Sequence, residues 1–446
     1  MMNESLQWWY ELANYEKRPP LPGDLKLDRM RTLLSILGNP HHYYRIVHVA
    51  GSKGKGSTSA MLCSVLRQAG YRTALFTSPH LTQIEERFQV NHQPIRSEEL
   101  IRLAEEIRDE VARIRAFDGN PPTFFEVATA IGFLHFRRRG VDLAVIEVGL
   151  GGRLDSTNVC RPLLSMITSI SFDHVKILGN TLDKIAREKA GIIKPGIPVV
   201  SGVQEDEART AIEEVARQQG ARLLTLNRDF TVESDPGCVG TQSLQRPRIR
   251  VRSAESWPSL ELQLFGEHQT ANAALVVTAV EQLRLKGLHL PDHAVREGLR
   301  KTVWPARLEL FSLSPLVVLD CAHNVASVSA LVQTLRQWQP RKNRVLVFSA
   351  SSDKDIPGML KVLAPDFDRA IMTQYESSSR AVPVEEMAKA WQMVSDKPVV
   401  PEPQVANALK RAMESVHADD LLCVTGSVFL AGELRPMLLD RFGASL

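Results

Sequence analysis

The stretch YYRIVHVAGSKGKGSTSAMLCSVLRQAGYRTALFTSPH, Tyr43 to His80, carries the reading of this chain. It opens on Arg45–Ala50, RIVHVA, which is short, apolar and rich in β-branched residues, as a buried strand is. From Ser57 to Ala69 the residues Ala60, Met61, Leu62, Val65, Leu66 and Ala69 form a broad apolar helical surface, and Gly70 closes it. TALFT follows as a second strand. Between strand and helix, Gly51, Gly54 and Gly56 would let backbone N–H groups approach an anion, with the positive end of the helix behind them. Lys55 can span phosphates, and the Ser57 hydroxyl suits Mg2+. The strict G-x-x-x-x-G-K-[ST] pattern is not met, because Gly56 separates Lys55 from Ser57. On these residues alone the loop is either a phosphate cradle or a mobile turn.

A chain of 446 residues exceeds one hydrophobic core, so two domains are expected, 1–300 and 301–446. Lys+Arg 54 against Asp+Glu 51 gives a net charge of only +3, which argues against a nucleic-acid surface. The five cysteines are scattered without C-x-x-C spacing, so neither a disulfide scaffold nor a cysteine zinc site is expected. The amino terminus lacks a signal peptide's basic start and apolar core, and no run is long enough to span a membrane. A cytoplasmic enzyme is the expectation, with a structural or regulatory protein as the alternative.

Further along, VDLAVIEVG, LLSMITSI, IPVVSG and ARLLTL read as strands. LIRLAEEIRDEVARI, FFEVATAIGFLHFRRR and ARTAIEEVARQQG read as helices. Their alternation predicts an α/β fold with a mainly parallel sheet covered on both faces. Phe230 to Phe265 reads as smaller strands and loops, and a second alternating series begins near Leu316.

Carboxylates and imidazoles at strand ends draw attention next. Glu147 ends LAVIE, Ser78 follows TALFT, and His174 follows SMITSISFD, an arrangement suited to a hard cation. Each also has an ordinary reading: a salt-bridge glutamate, a surface histidine and, for Lys189, a solvated helix lysine. Asn272 in GEHQTANAALVV, Arg307 in WPARLE, and Asp320 and His323 in LDCAHN either line a crevice or serve as buried structural groups.

Taken together and in order, HVAGSKGKGSTSA, FTSPHL, TFFEVATA, VIEVGLGGRLDSTN, DHVKILGNTLDKIAREKAGIIKPG, GEHQTANAA, WPARLE, LDCAHN and VTGSVFLAGE resemble the folylpolyglutamate synthase/dihydrofolate synthase family, relatives of the Mur peptide ligases. The resemblance implies a central ATPase domain, a smaller Rossmann-like domain and catalysis in their cleft. It implies a phosphate loop of Gly51, Gly54, Lys55, Gly56 and Ser57, and Mg2+ among Ser57, Ser78 and Glu147. A second metal site would involve His174 and a carbamylated Lys189. His268, Asn272, Arg307 and Asp320 would serve ATP, and His323 the glutamate and phosphate region. Thr123, Phe124, Arg153 and Asp155 are the pterin-side candidates, with Phe124 stacking and Asp155 accepting ring hydrogen bonds.

The implied reaction joins L-glutamate to dihydropteroate or to reduced folates through an acyl phosphate, in a monomer. Restriction to one of these ligations, a cell-wall ligase and a nucleotide-sensing scaffold are the alternatives. The sequence departs from the family pattern at Ser52 and Lys53, usually Thr and Asn, and at Ala306 and Cys321, where Gly is usual.

Overall fold

In the computed structural model, which describes residues 4–16, 24–118 and 121–446, strand β1 (Arg45–Ala50) is buried at every position after Arg45. A strand without a solvent face has to lie inside a sheet covered on both sides. The covering sheet is built from β1, β2 (Thr73–Phe76), β3 (Phe88–Val90), β4 (Gln93–Pro94), β5 (Leu143–Glu147), β6 (Leu164–Ile167), β7 (Val199–Ser201) and β8 (Leu223–Thr225). Its order is β4-β3-β2-β5-β1-β6-β7-β8. The six strands from β2 to β8 in that order are parallel, and the β3–β4 edge is antiparallel.

The chain forms two compact units. The first takes Met1–Glu233, Arg250–Leu260 and Ala271–Val303; the second takes Ser234–Ile249, Glu261–Thr270 and Trp304–Leu446. Around the first sheet run α1 (Glu4–Glu11), α2 (Leu27–Ile36), α3 (Lys55–Gln68), α4 (Ser97–Asp118), α5 (Phe124–Arg138), α6 (Val175–Leu178), α7 (Leu182–Ala190), α8 (Asp206–Gln218), α9 (Glu267–Leu285) and α10 (Asp292–Arg300). Short strands β9 (Thr231–Asp235), β10 (Cys238–Val239), β11 (Leu244–Gln245), β12 (Arg248–Arg252) and β13 (Leu260–Glu261) make two small sheets, as the Ser-, Pro- and Arg-rich composition of that segment suggested.

In the second unit, β14 (Glu309–Leu313), β15 (Leu316–Leu319), β16 (Arg344–Phe348), β17 (Arg369–Met372), β18 (Val399–Pro401) and β19 (Leu421–Thr425) pair in the order β14-β15-β19-β16-β17-β18. Only β14 is antiparallel. Helices α11 (Val325–Gln337), α12 (Ile356–Leu363), α13 (Val384–Gln392), α14 (Val405–Glu414) and α15 (Val428–Phe442) alternate with these strands.

Register brings the functional segments of the first unit to one edge. Val49 lies opposite Glu147, Ala50 opposite Ile167, and Phe76 opposite Ile146. The glycine loop, Glu147, Thr168 and Thr77–Ser78 therefore leave adjacent strands at the same level, where α/β sheets bind ligands.

At the start of α5 the Thr123 side chain accepts from Glu126 N, and the Glu126 carboxylate accepts from Thr123 N at 2.7 Å. That carboxylate also meets Arg29 of α2 at 3.2 Å, and each of the two side chains is only 6% exposed. Removing one partner strands a buried charge, so Arg29→Ala should lower unfolding free energy by about 3–5 kcal/mol. Urea denaturation checks this, and Arg29→Met with Glu126→Gln should cost less than Arg29→Ala alone.

Candidate active site

The glycine loop is laced to its surroundings. Ser52 N donates to Ser169 O at 2.7 Å, and the Ser52 hydroxyl donates to Ser171 O at 3.0 Å. Thr168 Oγ1 donates to Lys53 O at 2.6 Å. At Gly51 (φ +149°) an added Cβ would fall 1.9 Å from Thr168 Oγ1, and at Gly54 (φ +80°) one would fall 2.5 Å from Asn272 Oδ1. Neither position has room for a side chain, and the left-handed φ of Gly54 favours glycine as well. Helix α3 begins at Lys55 rather than Ser57, so Gly56 lies inside its first turn and Ser57 is buried there.

Lys55 Nζ and Lys189 Nζ both donate to Gly51 O, each at 3.0 Å. Two ammonium groups on one carbonyl repel, and Lys189 is also buried. Desolvation, followed by the field of Lys55, brings the Lys189 pKa down to about 7. Asp173 opposes that shift, and it lies 3.6 Å from the ring of His174. His174 stands on a left-handed turn (φ +48°) with its side chain 52% exposed. Asp173 is thus the acidic neighbour of His174 whose charge is also felt at Lys189.

Buried Glu147 accepts from Ser78 N at 3.4 Å. Among the described residues no group of three or more His, Cys, Asp or Glu could hold a metal. One carboxylate with two serine hydroxyls nevertheless fits Mg2+, which commonly takes one or two carboxylates together with substrate phosphates.

One pterin-side expectation needs correction. The Phe124 ring is 1% exposed, stacked on Trp9 at 5.0 Å, with the Arg87 guanidinium 5.5 Å from its centroid. It belongs to the core and has no face for a ligand. Asp155 is buried, and its carboxylate accepts from Leu150 N at 2.8 Å and Thr157 N at 3.0 Å. It organises its own loop. Thr123 is buried as the α5 cap. Arg153 reaches Glu188 at 2.8 Å and fastens the loop to α7, which carries Lys189.

Phe125, one position on and only partly buried, lies against Gly149, where an added Cβ would be 2.4 Å from the ring. Which of Phe124 and Phe125 turns inward depends on how the first turn of α5 faces. Behind Ser78, fully buried Arg87 holds Glu16 through two bonds of 2.7 and 2.8 Å and donates through Nε to His80 Nδ1 at 2.9 Å. Arginine only donates, so His80 carries its proton on Nε2. Glu16 is distant in sequence and gave no signal of this role.

In the second unit, Asp320 accepts from Leu308 N at 2.9 Å and Ala322 N at 2.8 Å, tying two loops together. His323 Nδ1 lies 2.9 Å from Cys321 O; a carbonyl only accepts, so Nδ1 carries the proton and Nε2 of the neutral ring is an acceptor. Arg307 donates to Ala306 O at 3.1 Å and to the sulfur of Cys321, whose thiol burial pushes up to about 11. His268 folds back on Gly266, where an added Cβ would be 2.6 Å from its ring.

Residues 49–280 match the Mur ligase middle domain, and residues 306–428 match the Mur ligase glutamate ligase domain. The dihydrofolate synthase/folylpolyglutamate synthase of Bacillus subtilis is 36% identical over 427 residues, covering 92% of this chain and 94% of that protein. The chain belongs to the folate branch of the Mur ligase family. Among solved members of that family, the Mycobacterium tuberculosis folylpolyglutamate synthase complexed with ADP superposes with a TM-score of 0.86 at 32% identity, covering 97% of this chain and 98% of that one. Escherichia coli FolC in complex with DHPP and ADP gives 0.83 at 28% identity, with 98% of each chain covered.

Ala306, where this Mur ligase branch usually has glycine, sits at φ +54° and is fully buried. Left-handed alanine costs roughly 1–2 kcal/mol. Its methyl recovers about 0.8 kcal/mol by burial, and it spares the unfolded chain some glycine entropy. These terms nearly cancel, so Ala306→Gly should stay within about 1 kcal/mol of the parent in chemical denaturation. Ala306→Val, which puts a β-branched residue at positive φ, should lose more than about 2 kcal/mol.

Proposed function

We propose that this chain is an ATP-dependent ligase that joins L-glutamate to dihydropteroate and also extends reduced folates. The observation that carries the reading is the pair of lysines on Gly51 O beneath a glycine loop, at the same sheet edge as Glu147 and Ser78. Support for two acceptors comes from the Bacillus subtilis relative, which is named for both activities. A cytoplasmic monomer is part of the proposal; among the described residues no helix is long and apolar enough to cross a membrane.

When bound, Mg-ATP supplies the phosphoryl group that converts the acceptor carboxylate to an acyl phosphate, whose carbonyl the neutral amine of glutamate attacks with release of phosphate. The bare backbone of Gly51, Gly54 and Gly56 and the start of α3 receive the phosphates, and Lys55 offsets their charge. Ser57, Ser78 and Glu147 would hold Mg2+. Asn272, which closes on Gly54, is the nucleotide-side candidate of the first unit, and His268, Arg307 and Asp320 are those of the second. His323 Nε2 is suited to accept a proton from the incoming amine. On the acceptor side the reading moves from Phe124 to Phe125 and keeps Asp155, with Thr123 and Arg153 as positioning residues.

Incubation with ATP, L-glutamate and either dihydropteroate or a reduced folate should give a new amide by mass analysis in both cases, together with ADP and phosphate. An amide from one acceptor alone restricts the activity to that ligation. ATP hydrolysis without amide, or nucleotide binding without turnover, overturns the ligase reading.

We also assign a carbamate to Lys189. A buried amine with a pKa near 7 is neutral often enough to attack CO2, forming the N–C bond and releasing one proton. The product replaces a repelled cation beside Lys55 with an anion. With 13C-bicarbonate, the parent should show a carbamate carbon resonance that Lys189→Ala lacks and that fades as pH falls through 7. Lys189→Ala should turn over at least tenfold more slowly, with partial rescue by short carboxylic acids. A parent spectrum without that resonance rejects the carbamate.

A further inference from the structure

Trp338 Nε1, Arg341 Nε and Arg344 Nε are buried N–H groups that find no acceptor among the described residues. All three residues line one cavity of about 160 Å³. Leu316, Arg344 and Leu421, which also line it, begin β15, β16 and β19. The cavity therefore opens at the amino ends of these strands, whereas Asp320 and His323 follow the carboxyl end of β15. It lies at the opposite strand ends from Asp320 and His323, the candidate residues of the same unit.

Donors dominate its side chains, with Gln339 the lining group that can also accept. Indole and guanidinium groups donate and never accept, and guanidinium remains charged. Arg336 lines the cavity as well, and Asp366 serves both Arg336, at 2.7 Å, and Arg344, at 3.5 Å. Arg341 spends its terminal N–H groups on neutral carbonyls, Leu313 O at 3.1 Å and Gly240 O at 2.7 Å. Two guanidinium groups thus share the carboxylate of Asp366, and Asp419 is the acidic group whose charge acts on the third.

The donors are also held in place. Trp338 is 4% exposed and packs edge-on against Phe265 at 5.4 Å, and Arg341 is fixed by its two carbonyls. The space is well below the several hundred Å³ of a typical cofactor pocket. It suits one small anion with its nearest waters.

We propose that this cavity binds a small oxyanion, phosphate or a short carboxylate, through the Trp338 indole N–H and the guanidinium groups of Arg341 and Arg344. The proposal does not depend on the ligase reading.

The six tryptophans should give six indole N–H resonances in a 15N spectrum of the full chain, and Trp338→Phe identifies one of them. Titration with inorganic phosphate at constant ionic strength should move that resonance saturably. Sulfate and acetate, run as separate arms, show whether tetrahedral or carboxylate oxygens are preferred. By calorimetry, Trp338→Phe, which keeps the ring packing, should weaken the phosphate affinity of this site roughly tenfold, with ligation unchanged. Arg344→Lys, which keeps the charge and removes Nε, should weaken it similarly. Lys55→Ala, which disturbs phosphate at the glycine loop, should leave the Trp338 titration intact. A resonance unmoved by all three anions, or moved equally by chloride, overturns the proposal and leaves a water-filled cavity. Unchanged phosphate affinity of this site in Trp338→Phe overturns it as well.

Discussion

Gly51 has to be a glycine, and much of the candidate site follows from that. Its carbonyl takes both lysine ammonium groups, and its α-carbon lies against Thr168 at the end of the neighbouring strand. A methyl group there would push β1 and β6 apart, and with them the loop that carries Lys55 and the serines around it. The same crowding explains why a run so rich in Gly, Ser and Lys is ordered. Flexible composition becomes rigid when each polar group has a partner and each glycine has a wall.

Sheet positions were legible from the chain because burial on two faces leaves an unbroken apolar run, and RIVHVA, LAVIE and LVVL are such runs. The strand-end rule then pointed to Ser78 and Glu147, which the structure brings within 3.4 Å of each other. Facing was harder to read. Phe124 and Phe125 are adjacent in the first turn of a helix, and only the packing of Trp9 decides which one turns inward. Asp155 shows the other limit: a short acidic side chain in a tight loop serves nearby N–H groups as readily as a ligand. Asp173 and Glu16 act through partners that only the folded chain supplies. The antiparallel β14 and the excursions of residues 234–249 and 261–270 into the second unit left no pattern in the sequence.

Carboxylates in this protein hold loops together more often than their strand-end positions suggest. Asp320 ties Leu308 to Ala322, and Glu126 serves a cap and a buried arginine at once. Such groups couple the shape of a loop to the charge of one side chain. That coupling gives precision, and it makes the loops sensitive to single substitutions far from any reacting atom.

The amino-terminal segment has a further consequence, one of timing. Glu16 meets Arg87 across 71 residues, Arg29 meets Glu126 across 97, and the Trp9 indole reaches Phe124 O across 115. The last two cannot form until the start of α5 exists. During synthesis α1 and α2 would leave the ribosome without the surface they pack on, and would wait until about a hundred further residues have followed. This segment, made before its partners, would settle after them, and its arrival fixes Arg87 and, through it, the turn that carries His80.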